Sequence, residues 1–184
     1  DEGEAAFYGP KIDIKIEDAI GRQWQLTTVQ LDFNQPNNFN LEYTDTDGSK
    51  QKAAVLHIAI VGSIERFMAI LIEHFEGNFP TWLTPVQVKV LPITDKHVEY
   101  AKTVVEKLMA ENIRAELDDR NERLQAKIRD AQLEKVAYMF IVGDKEAESN
   151  KVAVRKRDGT DLGAIDLESF INDLKKEIEK KRIN

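Results

Sequence analysis

The sequence contains no cysteine. That excludes disulfides, thiolate metal ligands and a cysteine nucleophile. Histidine is scarce, with only His57, His74 and His97, and no ligand spacing gathers the three around one metal. No run approaches the roughly 18 apolar residues of a membrane span. The opening DEGEAAFYGP lacks the basic and apolar regions of a secretory leader. Positive charge is in deficit: 26 Lys and Arg stand against 33 Asp and Glu, a net charge of −7. Unspecific nucleic-acid binding draws on neutralising phosphates and favours basic proteins. The balance argues against that mode and leaves room for a local basic patch. No nucleophile–base triad, P-loop or paired-carboxylate arrangement is present. The expectation is a cytoplasmic globular protein that does not bind membranes.

The most informative stretch is His57–His74, HIAIVGSIERFMAILIEH. It reads as an apolar strand, a Gly-Ser turn and an amphipathic helix over about 64–75, with Ile64, Phe67, Met68, Leu71, Ile72 and Phe75 as the face toward a sheet. Ser63 suits the N-cap, which places Arg66 at the third helical position. A helix start carries partial positive charge and disfavours a cation by about 0.3–1 kcal/mol. Two readings follow. Arg66 and the free backbone N–H groups hold an anion such as a phosphate, or Arg66 pairs with Glu65, Glu73 or an acidic loop.

Upstream, KIDIKIED alternates strictly, with Ile12, Ile14 and Ile16 opposed to Lys11, Asp13, Lys15 and Glu17. This predicts a half-buried strand, and Trp24–Phe33 returns as its hairpin partner. In the second strand Gln25, Thr27, Val29, Leu31 and Phe33 share one parity. Thr28, Gln30 and Asp32 share the other, as the wet face of a sheet or the wall of a polar pocket. Asn34–Asn40 reads as a turn-rich segment, 40–44 as a short strand and 53–61 as a long apolar strand containing His57. A lone histidine there is read as a hydrogen-bonded core residue, with a metal ligand as the alternative. Phe79–Pro85 is proline-bracketed and reads as a domain junction.

Beyond the junction the order is βαβαββα: a strand at 86–92, a helix capped by Asp95 and running to about 112, a strand at 113–117, a helix at 124–135, a strand at 138–142, a strand at 151–157 and a helix at 169–182. This predicts an α/β layer with a mainly parallel sheet. Ligands gather beyond the carboxyl ends of such strands, which singles out the loops 118–123 and 143–150. The cluster Arg155-Lys156-Arg157 reads either as a nucleic-acid contact or as a solvated strand edge. The chain end, 179–184, is expected to fray.

Five blocks, FYGPKIDI, QLTTVQLDF, HIAIVGSIERFMAILIEH, FPTWLTPVQV and IVGDKEAESNKVAVRKRDG, occur in order across the chain. Together they resemble the C-terminal part of the threonyl-tRNA synthetases, a class II aminoacyl-tRNA synthetase family. The resemblance implies that residues 1–81 are the last part of the catalytic domain, an incomplete antiparallel α+β sheet with the third-signature helix GSIERF. It implies that 82–184 are the anticodon-binding domain, an α/β unit with a mixed sheet. By position, Arg66 would contact the triphosphate of ATP, Gln25 would lie near the nucleotide, and Lys11 would reach the phosphate or carboxylate side of the adenylate. Tyr8, Thr28, Gln30 and Ser63 would surround threonine. His57 would be a zinc ligand, in a family where zinc holds the amino and hydroxyl groups of threonine. Asn121, Glu146 and Arg155 would read anticodon bases, which amide, carboxylate and guanidinium groups can hydrogen-bond.

The partners implied are ATP with Mg2+, threonine, and the anticodon arm of threonine tRNA; the parent enzyme is expected to be a homodimer. Neither the first nor the second class II signature is present, nor are the cysteine and second histidine that complete the zinc site. Ile58 stands where the family usually has arginine, Lys52-Ala53 where it has Arg-Pro, and Asn37-Asn38 where it has an acidic–basic pair. The chain is therefore expected to retain no zinc and to be inactive in isolation. The alternative is a non-catalytic module that binds the tRNA anticodon.

Overall fold

The computed structural model describes residues 6–183; the ends of the lead-in (1–9) and of the tail (179–184) expected to be irregular lie in part outside them. It divides into two compact units, 1–76 and 77–184. The division falls five residues before the junction expected at 81/82. The reason lies in the segment 79–84, whose carbonyls serve the second unit. Arg157 Nη2 donates to Phe79 O at 2.6 Å, and Arg114 Nη2 donates to Trp82 O at 3.0 Å and to Thr84 O at 2.8 Å.

In the first unit, β1 (Lys11–Glu17) and β2 (Gln23–Asp32) form the expected hairpin, and β5 (Val55–Ala59) pairs with the other edge of β2. All pairing is antiparallel. Asp18 holds the hairpin turn, accepting from the backbone N–H of Ile20 and Arg22, from Arg22 Nε and from Trp24 Nε1. The segment read as turn-rich folds as a short helix, α1 (Asn34–Asn38), because the Asp32 carboxylate accepts from Asn34 N and Gln35 N at its start. The strands β3 (Glu42–Thr44) and β4 (Lys50–Lys52) make a separate exposed ribbon. The helix α2 (Ile64–Phe75) has the predicted bounds and the predicted Ser63 cap, with Ser63 Oγ accepting from Arg66 N at 3.3 Å. Its packing differs from expectation. No residue of α2 is buried: Phe67, Ile70, Leu71 and Phe75 are half-covered, while Ile64, Met68 and Ile72 are exposed. On the sheet, Ile12, Ile14, Leu56 and Ile58 are also more than half exposed.

The second unit is a three-layer α/β/α body. Its strands are β6 (Val88–Pro92), β7 (Ala115–Leu117), β8 (Tyr138–Val142), β9 (Lys151–Lys156) and β10 (Asp161–Asp166). Their order is β10-β9-β8-β6-β7, with β7, β6 and β8 parallel and β9 and β10 antiparallel. The helices α3 (Val98–Ala110) and α6 (Leu167–Glu179) pack on one face through Val104, Leu108, Phe170 and Leu174 against Val88, Phe140 and Val154. The helix α4 (Leu124–Leu133) covers the other face, with Ile128 and Ala131 on Leu91 and Met139.

In the second unit two elements were not expected. The loop 143–150 contains the six-residue helix α5 (Asp144–Ser149), and β10 extends the sheet beyond β9. Neither carries the periodic apolar pattern from which elements are read. DKEAES is almost wholly polar, and DLGAID is broken by Gly163. The first turn before α3 is also reassigned. Thr94, not Asp95, occupies the cap position, and Asp95–His97 form a 3-10 turn.

Candidate functional site

In an antiparallel pair, directly opposed residues share a face. The register opposes Lys11 to Gln30, Asp13 to Thr28 and Gln30 to His57, which puts Lys11, Asp13, Thr28, Gln30, Asp32 and His57 on one polar face. Gln25 has the wrong parity to join them. The register shift after Ile14 resolves this: Ile14 opposes Thr27, Lys15 opposes Gln25, and Leu26 is the extra residue. One inserted residue reverses the facing of everything beyond it. Gln25 therefore lies on the polar face, where its Nε2 donates to Asp13 Oδ1 at 2.7 Å and to Thr28 Oγ1 at 2.9 Å.

Asp13 is the hub of this face. It accepts from Lys11 Nζ at 2.9 Å, from Thr28 Oγ1 at 2.8 Å and from Gln25. The Lys11 and Thr28 hydrogen bonds hold its carboxyl below the usual aspartate range. Sequence reasoning placed Asp13 on the wet side of β1 without a role. Its parity with Lys11 was the available signal.

A cleft of about 400 Å³ opens beside this hub, lined by Phe7, Tyr8, Gln30, Asp32, Asn34, Gln35 and His57. Tyr8 is brought there by Gly9, whose φ of +153° and 2.2 Å from an added Cβ to Leu31 O exclude a side chain. His57 is not a core residue: its side chain is 44% exposed. Its Nε2 lies 3.1 Å from Asp32 Oδ2 and donates to it, which leaves Nδ1 for another partner. The Asp32 carboxyl is held below its ordinary value, first by the Gln35 N–H and then by the His57 and Asn34 hydrogen bonds. Zinc needs three or four side-chain ligands. Among the described residues no group of three His, Cys, Asp or Glu comes together. His57 and Asp32, already bound to each other, do not make a zinc centre.

Arg66 sits at the start of α2, exposed. Its guanidinium carbon lies 5.6 Å from the centroid of the Trp24 ring, and Nη1 donates to Gln25 O at 3.2 Å. Among the described residues it has no carboxylate partner; Glu65 instead accepts from Ser63 Oγ at 2.7 Å. Gly62 allows this arrangement. Its φ is +63°, and an added Cβ would lie 2.8 Å from Leu26 O, so the turn before α2 rests directly on the bulge of β2. Of the residues predicted around one site, Tyr8, Gln30 and His57 share the cleft, Lys11, Gln25 and Thr28 share the Asp13 network, and Ser63 with Arg66 stands at the helix start joined to Gln25 through its carbonyl.

In the second unit, Asn121 is exposed in the loop after β7, and Glu146 is half-buried in α5 after β8. Both follow the carboxyl ends of parallel strands. Glu146 Oε2 accepts from Gly143 N at 3.0 Å, which fixes one carboxylate oxygen and leaves the other available. Arg155 is not at that end. It opposes Met139, three residues or about 10 Å along β8 from Val142. It pairs with Asp161 at 3.2 Å, and its Nε is buried without a hydrogen-bond partner among the described residues.

Two family models match the chain. Residues 2–75 match the class II tRNA synthetase core domain (G, H, P, S and T), and residues 87–177 match the anticodon binding domain. The chain is 57% identical over 182 residues to a threonine–tRNA ligase of Caldanaerobacter subterraneus subsp. tengcongensis, covering 99% of this chain and 28% of that protein. It is 52% identical over 183 residues to that of Sulfurihydrogenibium sp., again covering 28% of the relative. Its structure is similar to the RNA binding domain of threonyl-tRNA synthetase from Cryptosporidium parvum, with a TM-score of 0.85 at 40% identity, covering 95% of this chain and 44% of that one. A prolyl-tRNA synthetase from the same organism shares the fold, with a TM-score of 0.73 at 24% identity over 98% of this chain and 39% of that one. The chain thus spans somewhat over a quarter of the length of the curated relatives it matches.

Proposed function

The chain belongs to the class II aminoacyl-tRNA synthetases, as a portion of a threonine–tRNA ligase, and from that premise we propose that it supplies one wall of the adenylation site and the anticodon-reading domain. The parent reaction joins ATP, threonine and tRNA to give threonyl-tRNA, AMP and pyrophosphate. Its first step is in-line attack of the threonine carboxylate on the α-phosphate, which depends on positioning and on stabilising negative charge. Arg66 serves the second need: it is a cation at the positive end of a helix with no carboxylate partner among the described residues. Lys11, paired with Asp13, brings a further cation to the polar face of the sheet. Asp13 holds Lys11, Gln25 and Thr28 in mutual register, and Gln25 lies toward the nucleotide. Tyr8, Thr28, Gln30 and Ser63 surround the threonine with hydroxyls and an amide.

His57 is oriented by Asp32. The zinc site of the parent needs ligands that these residues do not provide, so the chain's own chemistry is binding and orientation. The unit 1–76 serves as part of the catalytic domain and the unit 77–184 as the anticodon domain, with Asn121 and Glu146 contacting bases from the strand ends and Arg155 adding a guanidinium from the sheet. ATP, Mg2+, threonine, a homodimeric parent and a cytoplasmic location belong to this reading.

The observation that carries the catalytic part is the environment of Arg66: an aromatic face, a carbonyl and, among the described residues, no carboxylate. In the full-length ligase, Arg66→Ala is expected to slow threonine-dependent ATP–pyrophosphate exchange by about 10²–10³-fold. An unchanged rate would remove Arg66 from the site. The purified 184-residue chain alone is expected to give no exchange, and measurable exchange would overturn that expectation. A second reading, an RNA-binding module without catalysis, is favoured by the self-contained core of the second unit. Titration of the chain with a threonine anticodon stem-loop against a scrambled loop tests it: equal affinities would exclude anticodon reading.

A further inference from the structure

The helix α5 carries Glu146, yet it has no apolar anchor of its own. It is six residues long, none of them buried, and Ala147 is its single half-covered apolar residue. Propensity cannot hold so short a helix, because isolated helices under about 12 residues are marginal in water. Its position must be set from outside.

Two side chains from the start of α3 reach its two ends. At the front, His97 Nε2 lies 2.9 Å from Asp144 Oδ1. His97 is itself 6% exposed and fixed in orientation. Its Nδ1 accepts from Thr94 N at 3.3 Å, and since an amide can only donate, Nε2 carries the proton given to Asp144. At the back, Tyr100 Oη donates to Lys151 O at 2.8 Å, one residue past the left-handed Asn150 that ends α5. His97 and Tyr100 are three residues apart and so share one helix face. Tyr100 belongs to α3, which begins directly after His97 and is rigidly seated, with Ala101, Val104 and Leu108 fully buried.

We propose that His97 and Tyr100 are positioning residues that clamp α5 against α3 and so place the Glu146 carboxylate for base recognition. The inference rests on the reading of Glu146 as a base contact. The clamp transfers the rigidity of the apolar core to a helix that lacks one. It also leaves Glu146 with one oxygen held by Gly143 N and one to present to RNA.

The test uses the full 184-residue chain and two RNA hairpins, one with a threonine anticodon and one with a scrambled loop. Glu146→Gln is expected to weaken the cognate hairpin roughly 10-fold, the scale of one discriminating hydrogen-bonded pair. Tyr100→Phe, and His97→Ala with it, are expected to lower the preference for the cognate hairpin several-fold. His97→Gln, which keeps a donor, is expected to restore part of it. In the Glu146→Gln background the clamp variants are expected to cost nothing more. If Glu146→Gln weakens binding and the clamp variants do not, or if they cost as much in its absence, the clamp is overturned. If Glu146→Gln has no effect, base reading by Glu146 fails. The clamp is then judged by amide exchange over Ala147–Asn150: faster exchange in Tyr100→Phe supports it, and unchanged exchange overturns it.

Discussion

Two buried charges show how single residues shape the loop that follows β7 in the second unit. Asp118 is a carboxylate whose side chain is only 2% exposed. It accepts from Arg120 Nε at 2.8 Å and Nη2 at 2.7 Å, and Arg120 also reaches Asp130 at 3.0 Å. The Arg120 hydrogen bonds hold the Asp118 carboxyl below its ordinary value. A carboxyl depressed in the folded state contributes stability that is present above its unfolded pKa of about 3.9 and lost as pH falls through the folded value. Asp118→Asn is therefore expected to lower the stability of the chain at pH 7 by about 1–3 kcal/mol and to flatten the decline below about pH 4. Urea unfolding at a series of pH values checks both. Lys127 is 4% exposed, and its ammonium donates to Asp118 O at 3.0 Å and Pro92 O at 3.3 Å, tying the ends of β6 and β7. Lys127→Met keeps the length and removes the donors. It is expected to cost about 1–3 kcal/mol, because two carbonyls lose a charged partner. Equilibrium unfolding of the variant measures the cost. A stability equal to that of the parent chain would show that the two carbonyls find other donors.

Among the elements, the bulge of β2 organises the first unit. It turns Gln25 onto the polar face, and its Leu26 carbonyl supports Gly62, from which α2 and Arg66 depart. Gly62→Ala meets two obstacles, a left-handed φ and a backbone contact at 2.8 Å. It is expected to destabilise this unit by about 1–3 kcal/mol. Trp24 and Trp82 are the two tryptophans of the chain, so denaturation followed by fluorescence in a Trp82→Phe background isolates the region around Trp24. A midpoint that does not move would contradict this account. The helix α2 illustrates the opposite limit. Its bounds and cap follow from local pattern, while its covering does not, because an amphipathic stripe states which residues can be buried and not whether a partner is present.

At the scale of the molecule, the two units are built unequally. Among the described residues, Leu26 and Pro36 are the buried apolar residues of the first unit, and all the others belong to the second. Hydrophobic burial is the dominant favourable term in folding. The second unit is accordingly expected to unfold as one cooperative transition, and the first at lower temperature with little heat and with binding of a hydrophobic dye at Ile12, Ile14, Ile58, Met68 and Ile72. Calorimetry with parallel dye fluorescence tests this. A single transition without dye binding would refute it.

The local pattern alone determined a good deal. The alternation of KIDIKIED, the Ser63 cap, the period of α2, α3 and α6 and the change of grammar near Phe79 each depend on residues within one or two turns of each other. The five blocks in order were enough to indicate the family. Tertiary structure decided the remainder. It moved the unit boundary to 76/77, because Arg157 and Arg114 bind the carbonyls of 79–84 from 30 to 78 positions away. It formed α5 and β10 from sequences without an apolar period. It gathered Lys11, Gln25 and Thr28 around Asp13 through a one-residue bulge that parity cannot foresee. It also set Arg66 on Trp24 and away from any carboxylate among the described residues. The physical reason is common to all of these. Periodicity and caps are properties of neighbours along the chain, whereas the partner of a buried polar group is selected by whichever distant donor or acceptor the packed core brings within 3 Å.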